Sequence, residues 1–474
     1  MSAQDIGASI ARHLADTPTS CQNKGVHKFA AFYLSSSQRP LFLLTGYAGT
    51  GKTTFINAIV KFLGQTGYRS VLIAPTGRAA KVMSSYTQKK AWTIHKRIYT
   101  LKINDDGYNQ LEIQPNFHKK TFFIVDEASM IGDTSEGLHK FRRNLLSDLV
   151  EYVNSGKNCF LIMVGDKAQL PPVGSIFSPA LDAEVLSKNY GFDVYHTHFT
   201  TVVRQQKESG ILANATALRY QLSHNICKTP FFKLEDHNDI VKVSGPEFKE
   251  ILEQAYMQND LSDVIILCRS NKRANLYNKQ IRYMILFRED VIAAGDLLMV
   301  VKNNYTSLPE GHSAGFIANG DIIEIMRINR FYSLYGFDFA DVTIRMVDYP
   351  DDISFETTII LNTIDSEGPS LGIEDSKKLF DEILKDYEDI STKKEKAAQL
   401  RQNNELHALQ VKFAYAITTH KAQGGQWQTV FIDYGFLKKE HMDSSFLRWL
   451  YTASTRAIDK LYLVNFDNSF FDDH

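Results

Sequence analysis

The run Leu41-Phe42-Leu43-Leu44-Thr45, followed by Gly46-Tyr47-Ala48-Gly49-Thr50-Gly51-Lys52-Thr53, constrains this chain more than any other segment. An apolar stretch of strand character leads straight into a G-x-x-x-x-G-K-T loop. Residues Phe55 to Leu63 then continue at helical spacing toward Gly64. Strand, loop and helix in that order form the setting a phosphate-binding loop needs. Glycines let backbone N–H groups turn toward phosphates, and the helix N-terminus adds a favourable dipole. Lys52 is then expected to reach the β- and γ-phosphates and the Thr53 hydroxyl to complete a Mg²⁺ shell. Gly46, Ala48, Gly49, Thr50, Gly51 and Thr54 line the same loop. The flanking pattern favours nucleoside triphosphate binding over a glycine-rich turn without function.

A second strand-like run, Thr121-Phe122-Phe123-Ile124-Val125, ends in Asp126-Glu127. Alone, an acidic pair at a strand end reads as a cap for the next helix. Downstream of a phosphate-binding loop it reads as hydrolysis: Asp126 holds Mg²⁺ and Glu127 orients and deprotonates the attacking water. A third run, Phe160 to Val164, is followed by Gly165-Asp166-Lys167-Ala168-Gln169. Gln169 there could touch the γ-phosphate or the lytic water.

The chain has 474 residues, 44% of them hydrophobic and 23% charged, with a formal net charge of −1. That length exceeds one core and predicts two to four domains. No apolar run approaches the roughly 20 residues that span a bilayer, and no secretory signal pattern opens the chain, so a cytoplasmic protein without membrane contact is expected. Cys21, Cys159, Cys227 and Cys268 lack metal-ligand spacing, and Cys159 and Cys268 lie in strand-like runs as expected core thiols. The near-zero net charge means that any nucleic-acid site has to be a local basic groove.

These motifs form an ordered set. GYAGTGKT is followed by LIAPTGRAAKVM (72–83), AWTIH (91–95), FIVDEASM (123–130) and VGDKAQLPPVG (164–174). VVRQQ (202–206), AYAITTHKAQGGQW (414–427) and LYTASTRAIDKLYLV (450–464) complete it. In this order the chain resembles superfamily-one DNA helicases of the RecD/Dda type, the 5′-to-3′ branch, from about residue 20 onward. The resemblance implies that Lys52, Thr53, Asp126 and Glu127 serve ATP and Mg²⁺, and that Gln169 links γ-phosphate to DNA. Arg204 and Arg456 are implied to reach the γ-phosphate from a second lobe. Guanidinium groups across a cleft stabilise the charge on the transferred phosphoryl oxygens, although each arginine could also form a surface or interlobe ion pair. Pro75, Thr76, Arg78, Thr93, His95, Thr419 and His420 are implied contacts to the backbone of single-stranded DNA. Trp92, Tyr99, Tyr305 and Trp427 are candidates for base stacking or for packing. Two positions depart from the family. Gln426 stands where an acid usually contacts the nucleotide sugar, and Gln22 is the nearest candidate for the glutamine that reads adenine.

The expected fold is α/β, with two RecA-like lobes of parallel sheet flanked by helices. A first lobe over 1–200 carries buried strands near 41–45, 71–74, 121–126 and 159–165. Residues 97–118 alternate around Asn104-Asp105-Asp106-Gly107, a hairpin pattern that the resemblance makes a duplex-splitting pin. The second lobe is assigned 201–294 and 406–474. Between its parts, 295–405 reads as an inserted SH3-like β-barrel, with Lys302 and Asn303 as possible DNA contacts, plus a charged helical arm over 374–409.

The leading expectation is an ATP-driven 5′-to-3′ DNA helicase, expected to be monomeric, acting on single strands and duplex junctions; protein partners are unassigned. An RNA helicase of the related Upf-one-like branch and a DNA-stimulated ATPase switch without unwinding are the alternatives. A P-loop kinase leaves Arg204, Arg456 and AYAITTHKAQGGQW without a role.

Overall fold

The structure, a computed structural model, describes residues 1–14, 17–103, 109–133, 144–203, 209–235, 237–309, 312, 314–349, 353–390, 392–435 and 442–471. Its first half contains β1 (Pro40–Gly46), β2 (Arg69–Ala74), β3 (Ala91–Thr93), β4 (Tyr99–Ile103), β5 (Asn109–Ile113), β6 (Lys119–Val125), β7 (Lys157–Gly165) and β8 (Asp193–Phe199). Six of these form one sheet in the order β3-β2-β6-β7-β1-β8. Every pairing in it is parallel. β1 is buried along its whole length because helices cover both faces, which is why its sequence is apolar without alternation. On one side Phe29 packs edge to face with Phe42 and Phe62, and Phe32 with Phe122. Two strands escaped sequence reading. β3 is three residues long, and β8 (DVYHTHF) is an edge strand whose polar residues break the apolar run.

The second half adds β9 (Ile240–Val243), β10 (Val264–Cys268), β11 (Leu297–Val300), β12 (Ile322–Leu334), β13 (Phe337–Met346), β14 (Phe355–Ile360), β15 (Leu409–Phe413), β16 (Ala416–Thr418), β17 (Trp427–Asp433) and β18 (Ala457–Val464). A second parallel sheet runs β16-β10-β17-β18-β9, again with helices packed against it. β11 to β15 close into a five-stranded barrel, its seam made by β11 antiparallel and β14 parallel to β15. β15 therefore belongs to the barrel and not to the second lobe, to which a boundary at 406 assigned it. The lobe resumes after Phe413.

The charged arm is docked on the barrel. It consists of helices Ile373–Lys385 and Lys393–Gln402, and Leu379, Ile383 and Leu400 bury against Phe337, Phe339 and Ile360. β4 and β5 pair as the expected hairpin, in register from Tyr99↔Ile113 to Ile103↔Asn109, while its turn at 104–108 lies outside the described residues. Among the described residues no helix is long and apolar enough to cross a membrane. Cys159 is half-buried, not a core thiol, whereas Cys268 is fully buried.

Candidate active site

β1 delivers the loop to the C-terminal edge of the first sheet. A Cβ on Gly46 would lie 2.8 Å from Cβ of Phe199, so glycine is what lets the end of β8 pass this close. Gly51 has φ +79°, and a Cβ there would sit 2.5 Å from Nε2 of Gln22, so glycine is required twice over. Helix Lys52–Gln65 starts at once and turns its unpaired N–H groups into the loop, with Thr53 and Thr54 exposed on its first turn. The Tyr47 carbonyl accepts from Lys52 Nζ at 2.8 Å and from Thr50 Oγ1 at 2.8 Å.

Gln22 stands at the third position of helix Ser20–Tyr33, in a capping box. Its Oε1 accepts from the Thr19 N–H at 2.9 Å, and its amide nitrogen faces Gly51. Downstream of β8, the Val203 N–H donates to the Gly49 carbonyl at 3.0 Å. The segment leading to Arg204 thus runs along the loop; Arg204 itself lies outside the described residues.

β6 brings the two acids to the same edge of the sheet. Asp126 accepts from Tyr86 Oη at 2.7 Å and from the Glu127 N–H at 2.8 Å, which fixes its carboxylate. Glu127 has φ +51°, a left-handed geometry that costs a non-glycine residue of order 1–3 kcal/mol and is retained mostly at functional sites. Its Oε2 is shut off from water and has no hydrogen-bond partner among the described residues. Burial pushes the Glu127 carboxyl pKa up; Arg456 and Lys52 pull it down, and Asp126 and Asp166 add to the rise. A carboxylate with one unpartnered oxygen and raised proton affinity has the chemistry of a general base.

Arg456 enters from the second lobe and is only 4% exposed. Three acceptors orient it: the Thr452 carbonyl at 3.1 Å, the Gly425 carbonyl at 3.2 Å and Thr455 Oγ1 at 3.1 Å. Gln169 is buried, with its Oε1 unpartnered among the described residues. The Gln426 side chain is exposed, and its carbonyl accepts from Arg78 at 3.1 Å.

The residues assigned to nucleic acid lie at strand ends and helix starts. Pro75 is half-buried beyond β2. Thr76 caps helix Gly77–Thr87 by accepting from the Ala79 N–H, and a Cβ on Gly424 would come within 3.0 Å of its Oγ1, so the two lobes meet there. Arg78 also lies over the Trp427 ring. Thr93 caps the short helix Ile94–Ile98. Next to it, burial drives the His95 pKa down to about 4, leaving a neutral imidazole. Thr419 is fully buried with Oγ1 unpartnered among the described residues, and His420 beside it is exposed.

Burial makes two of the four aromatic candidates packing residues. Tyr99 donates to Asp148 at 2.7 Å inside the first lobe, and Trp427 is 2% exposed, so neither presents a face to a base. Trp92 and Tyr305 remain half-exposed, Trp92 flanked by Lys90 and Lys96, and Tyr305 stacked on Phe316. Asn303 is held inside the barrel loop by Tyr305 and the Asn319 N–H, while Lys302 is exposed. Sequence reading missed Tyr86, Asp166 and Tyr451, although Asp166 and Tyr451 lie within the quoted motifs.

Residues 30–175 match the family described as AAA domain, and residues 413–464 match the UvrD-like helicase C-terminal domain. An uncharacterised protein of Acanthamoeba polyphaga mimivirus is 23% identical over 90% of this chain and 96% of its own length. The ATP-dependent RecD2 DNA helicase of Deinococcus radiodurans is 34% identical over 28% of this chain and 16% of that protein. The ATP-dependent DNA helicase dda of Enterobacteria phage T4 is 27% identical over 54% of this chain and 55% of that protein. The chain thus spans only part of the two relatives that carry a described activity. Its ordered motifs, paired parallel-sheet lobes and two matched domains are similar to those of the superfamily-one helicases of the RecD/Dda type.

Proposed function

We propose that this chain is an ATP-dependent DNA helicase that moves 5′ to 3′ on single-stranded DNA and separates duplex DNA ahead of it. The observation that carries the reading is Glu127. It is a half-buried carboxylate at the tip of β6 whose Oε2 is shut off from water and unpartnered among the described residues, within electrostatic reach of Lys52 on its own lobe and of Arg456 on the other. Hydrolysis then follows from the geometry. Lys52 and the loop N–H groups hold the phosphates, Glu127 takes the proton of the attacking water, and Arg456 stabilises the charge that develops. Because Arg456 belongs to the second lobe, the site is complete only when the lobes are together. ATP turnover is thereby tied to lobe motion.

Thr53 and Asp126 suit Mg²⁺, which supplies neutralisation of the phosphate charge when bound. Mg²⁺ takes few protein ligands beside substrate phosphates, so a hydroxyl and one fixed carboxylate are a sufficient donor set. Gln22, with its amide nitrogen beside Gly51, is the proposed contact to the base, and Gln426 the proposed contact to the sugar. Pro75, Thr76, Arg78, Thr93, His95, Thr419 and His420 are the proposed backbone contacts, and Arg204 a second γ-phosphate arginine. The names of the two relatives, both ATP-dependent DNA helicases, support DNA as the track.

The test compares ATP hydrolysis by the wild type and Lys52→Ala, with and without single-stranded DNA, and strand separation on duplexes with a 5′ or a 3′ tail. The expected result is Lys52-dependent hydrolysis stimulated by single strands, with unwinding only from the 5′ tail. Stimulation by RNA alone, or stimulation without unwinding from either tail, would replace this reading with one of its alternatives.

A further inference from the structure

The turn that carries Gln169 belongs to the first lobe by sequence, yet the second lobe holds it. Asp166 has no exposed surface; its Oδ1 accepts from the Ala168 N–H at 2.8 Å, closing the turn, and its Oδ2 accepts from the Tyr451 hydroxyl at 2.6 Å. The Leu170 N–H donates to Thr452 Oγ1 at 2.9 Å, and the Leu170 carbonyl accepts from Gln423 Nε2 at 2.7 Å. Arg448 donates to the Lys167 carbonyl, and also to that of Gln169 at 3.4 Å. Tyr451, Thr452 and Arg448 share one helix, Ser444–Ser454, which runs directly into Arg456.

Tyr451 does more than grip this turn. The same hydroxyl that donates to Asp166 accepts from the Ala48 N–H at 2.9 Å, inside the phosphate-binding loop. One phenol of the second lobe therefore joins two separate first-lobe loops, the one that holds phosphate and the one that bears Gln169. The ring is 1% exposed, so the bridge is shielded from competing water. Burial and the Asp166 charge hold the phenol proton firmly in place, which keeps the hydroxyl a donor to Asp166.

We infer that Tyr451 is a positioning residue for ATP hydrolysis, its hydroxyl setting the phosphate-binding loop and the Gln169 turn in register with Arg456. The inference rests on the ATPase reading above. No part of Tyr451 touches substrate; it acts through Ala48 and Asp166. Rotation of the second lobe that carries Arg456 away also draws the phenol from between the two loops, so the arginine and the Gln169 turn engage or disengage as one unit.

The test is steady-state ATP hydrolysis by the full chain saturated with single-stranded DNA, for Tyr451→Phe, Asp166→Asn and the double variant. Tyr451→Phe keeps the ring and deletes the bridging oxygen. The expected result is a fall in kcat of about ten-fold or more with KM for ATP within about three-fold, the pattern for lost transition-state alignment. The double variant is expected to be no slower than the worse single variant, because both remove the same contact. A rise in KM with kcat unchanged, unchanged kinetics with only a lower melting temperature, or two effects that multiply would each overturn the inference. If Tyr451→Phe is silent while Lys52→Ala abolishes hydrolysis, the inference fails and the ATPase reading stands. Wild-type hydrolysis indifferent to Lys52→Ala would remove the ATPase reading and this inference with it.

Discussion

The Arg78 guanidinium lies 4.0 Å from the centroid of the Trp427 ring, joining the first lobe to the second at the proposed DNA groove. Its Nη2 also donates to the Gln426 carbonyl at 3.1 Å, and desolvation lowers its pKa. A stacked guanidinium of this kind is worth about 0.5–2 kcal/mol. Arg78→Ala is expected to lower the melting temperature by a few degrees and to weaken single-stranded DNA binding in fluorescence anisotropy. Arg78→Lys should recover less than half of either loss, since an ammonium cannot stack and hydrogen-bond in the same plane. Full recovery by Lys would show that charge alone matters there.

Glu127 carries the most direct prediction. Glu127→Gln preserves size and removes the base, so kcat should drop by about 10²–10⁴ while ATP binding persists. The carboxyl pKa is raised in the free protein, chiefly by burial. Hydrolysis needs the deprotonated form, so kcat/KM should decline as pH falls through a pKa above the ordinary glutamate range. That acid limb should vanish from the residual activity of Glu127→Gln. An unchanged acid limb in the variant would assign it to another group.

Asp321 sets a pH dependence of stability. It lies in the barrel, 2% exposed, its Oδ2 accepting from the Ala318 N–H at 2.7 Å and its Oδ1 facing Gly77 at the start of a first-lobe helix. Asp348, paired with Lys81 of that helix at 3.3 Å, adds negative charge nearby. Burial lifts the Asp321 pKa from 3.8 to about 8. The folded chain holds this proton and the unfolded chain releases it. The stabilising contribution is therefore whole below about 3.8 and is lost as pH rises toward about 8. Asp321→Asn should be close to wild type at pH 4 and the more stable variant at pH 8, by roughly 5 kcal/mol across the range, read as melting temperatures that diverge with rising pH. Parallel curves would mean that Asp321 is already ionised in the fold.

Asp296 tests how the barrel is anchored. This fully buried carboxylate accepts from Arg288 at 2.7 Å, Arg282 at 3.0 Å, Tyr415 Oη at 2.9 Å and the Ala293 N–H at 2.7 Å. Asp296→Ala strands two guanidinium groups and should destabilise by about 3–5 kcal/mol, detected as early unfolding in thermal melts. Nearly unchanged stability would indicate that water reaches the arginines.

How much of this was legible in sequence depended on how local the cause was. The phosphate loop and the Asp126-Glu127 strand end were legible because residues next to one another in the chain build them. The grip of Tyr451 on Asp166 was not, because the partners are 285 residues apart and a tyrosine beside TASTRA reads equally as core. For Trp427 and Tyr99 stacking and packing both stayed open, since residue type carries no information on burial. β15 was given to the second lobe because an alternating five-residue run, Leu409-Gln410-Val411-Lys412-Phe413, two residues before β16 suits a barrel or a sheet equally well. Only the closing partner, β11, decides between them.

The hairpin β4–β5 separates unwinding from mere ATP turnover. It projects between Tyr99, buried against Asp148, and Ile113, so its base is rooted in the first lobe and a shortened tip should leave the ATPase site intact. Replacing residues 104–108 with a two-residue Asn-Gly turn closes the same strand pair with the geometry such turns favour. If the hairpin is the wedge, unwinding of a 5′-tailed duplex should fall by about ten-fold or more while hydrolysis stimulated by single strands stays within about two-fold, because only the strand-separating step is lost. Equal loss of both activities would make the hairpin part of the ATPase fold. Retention of both would place strand separation elsewhere on the first lobe or the barrel.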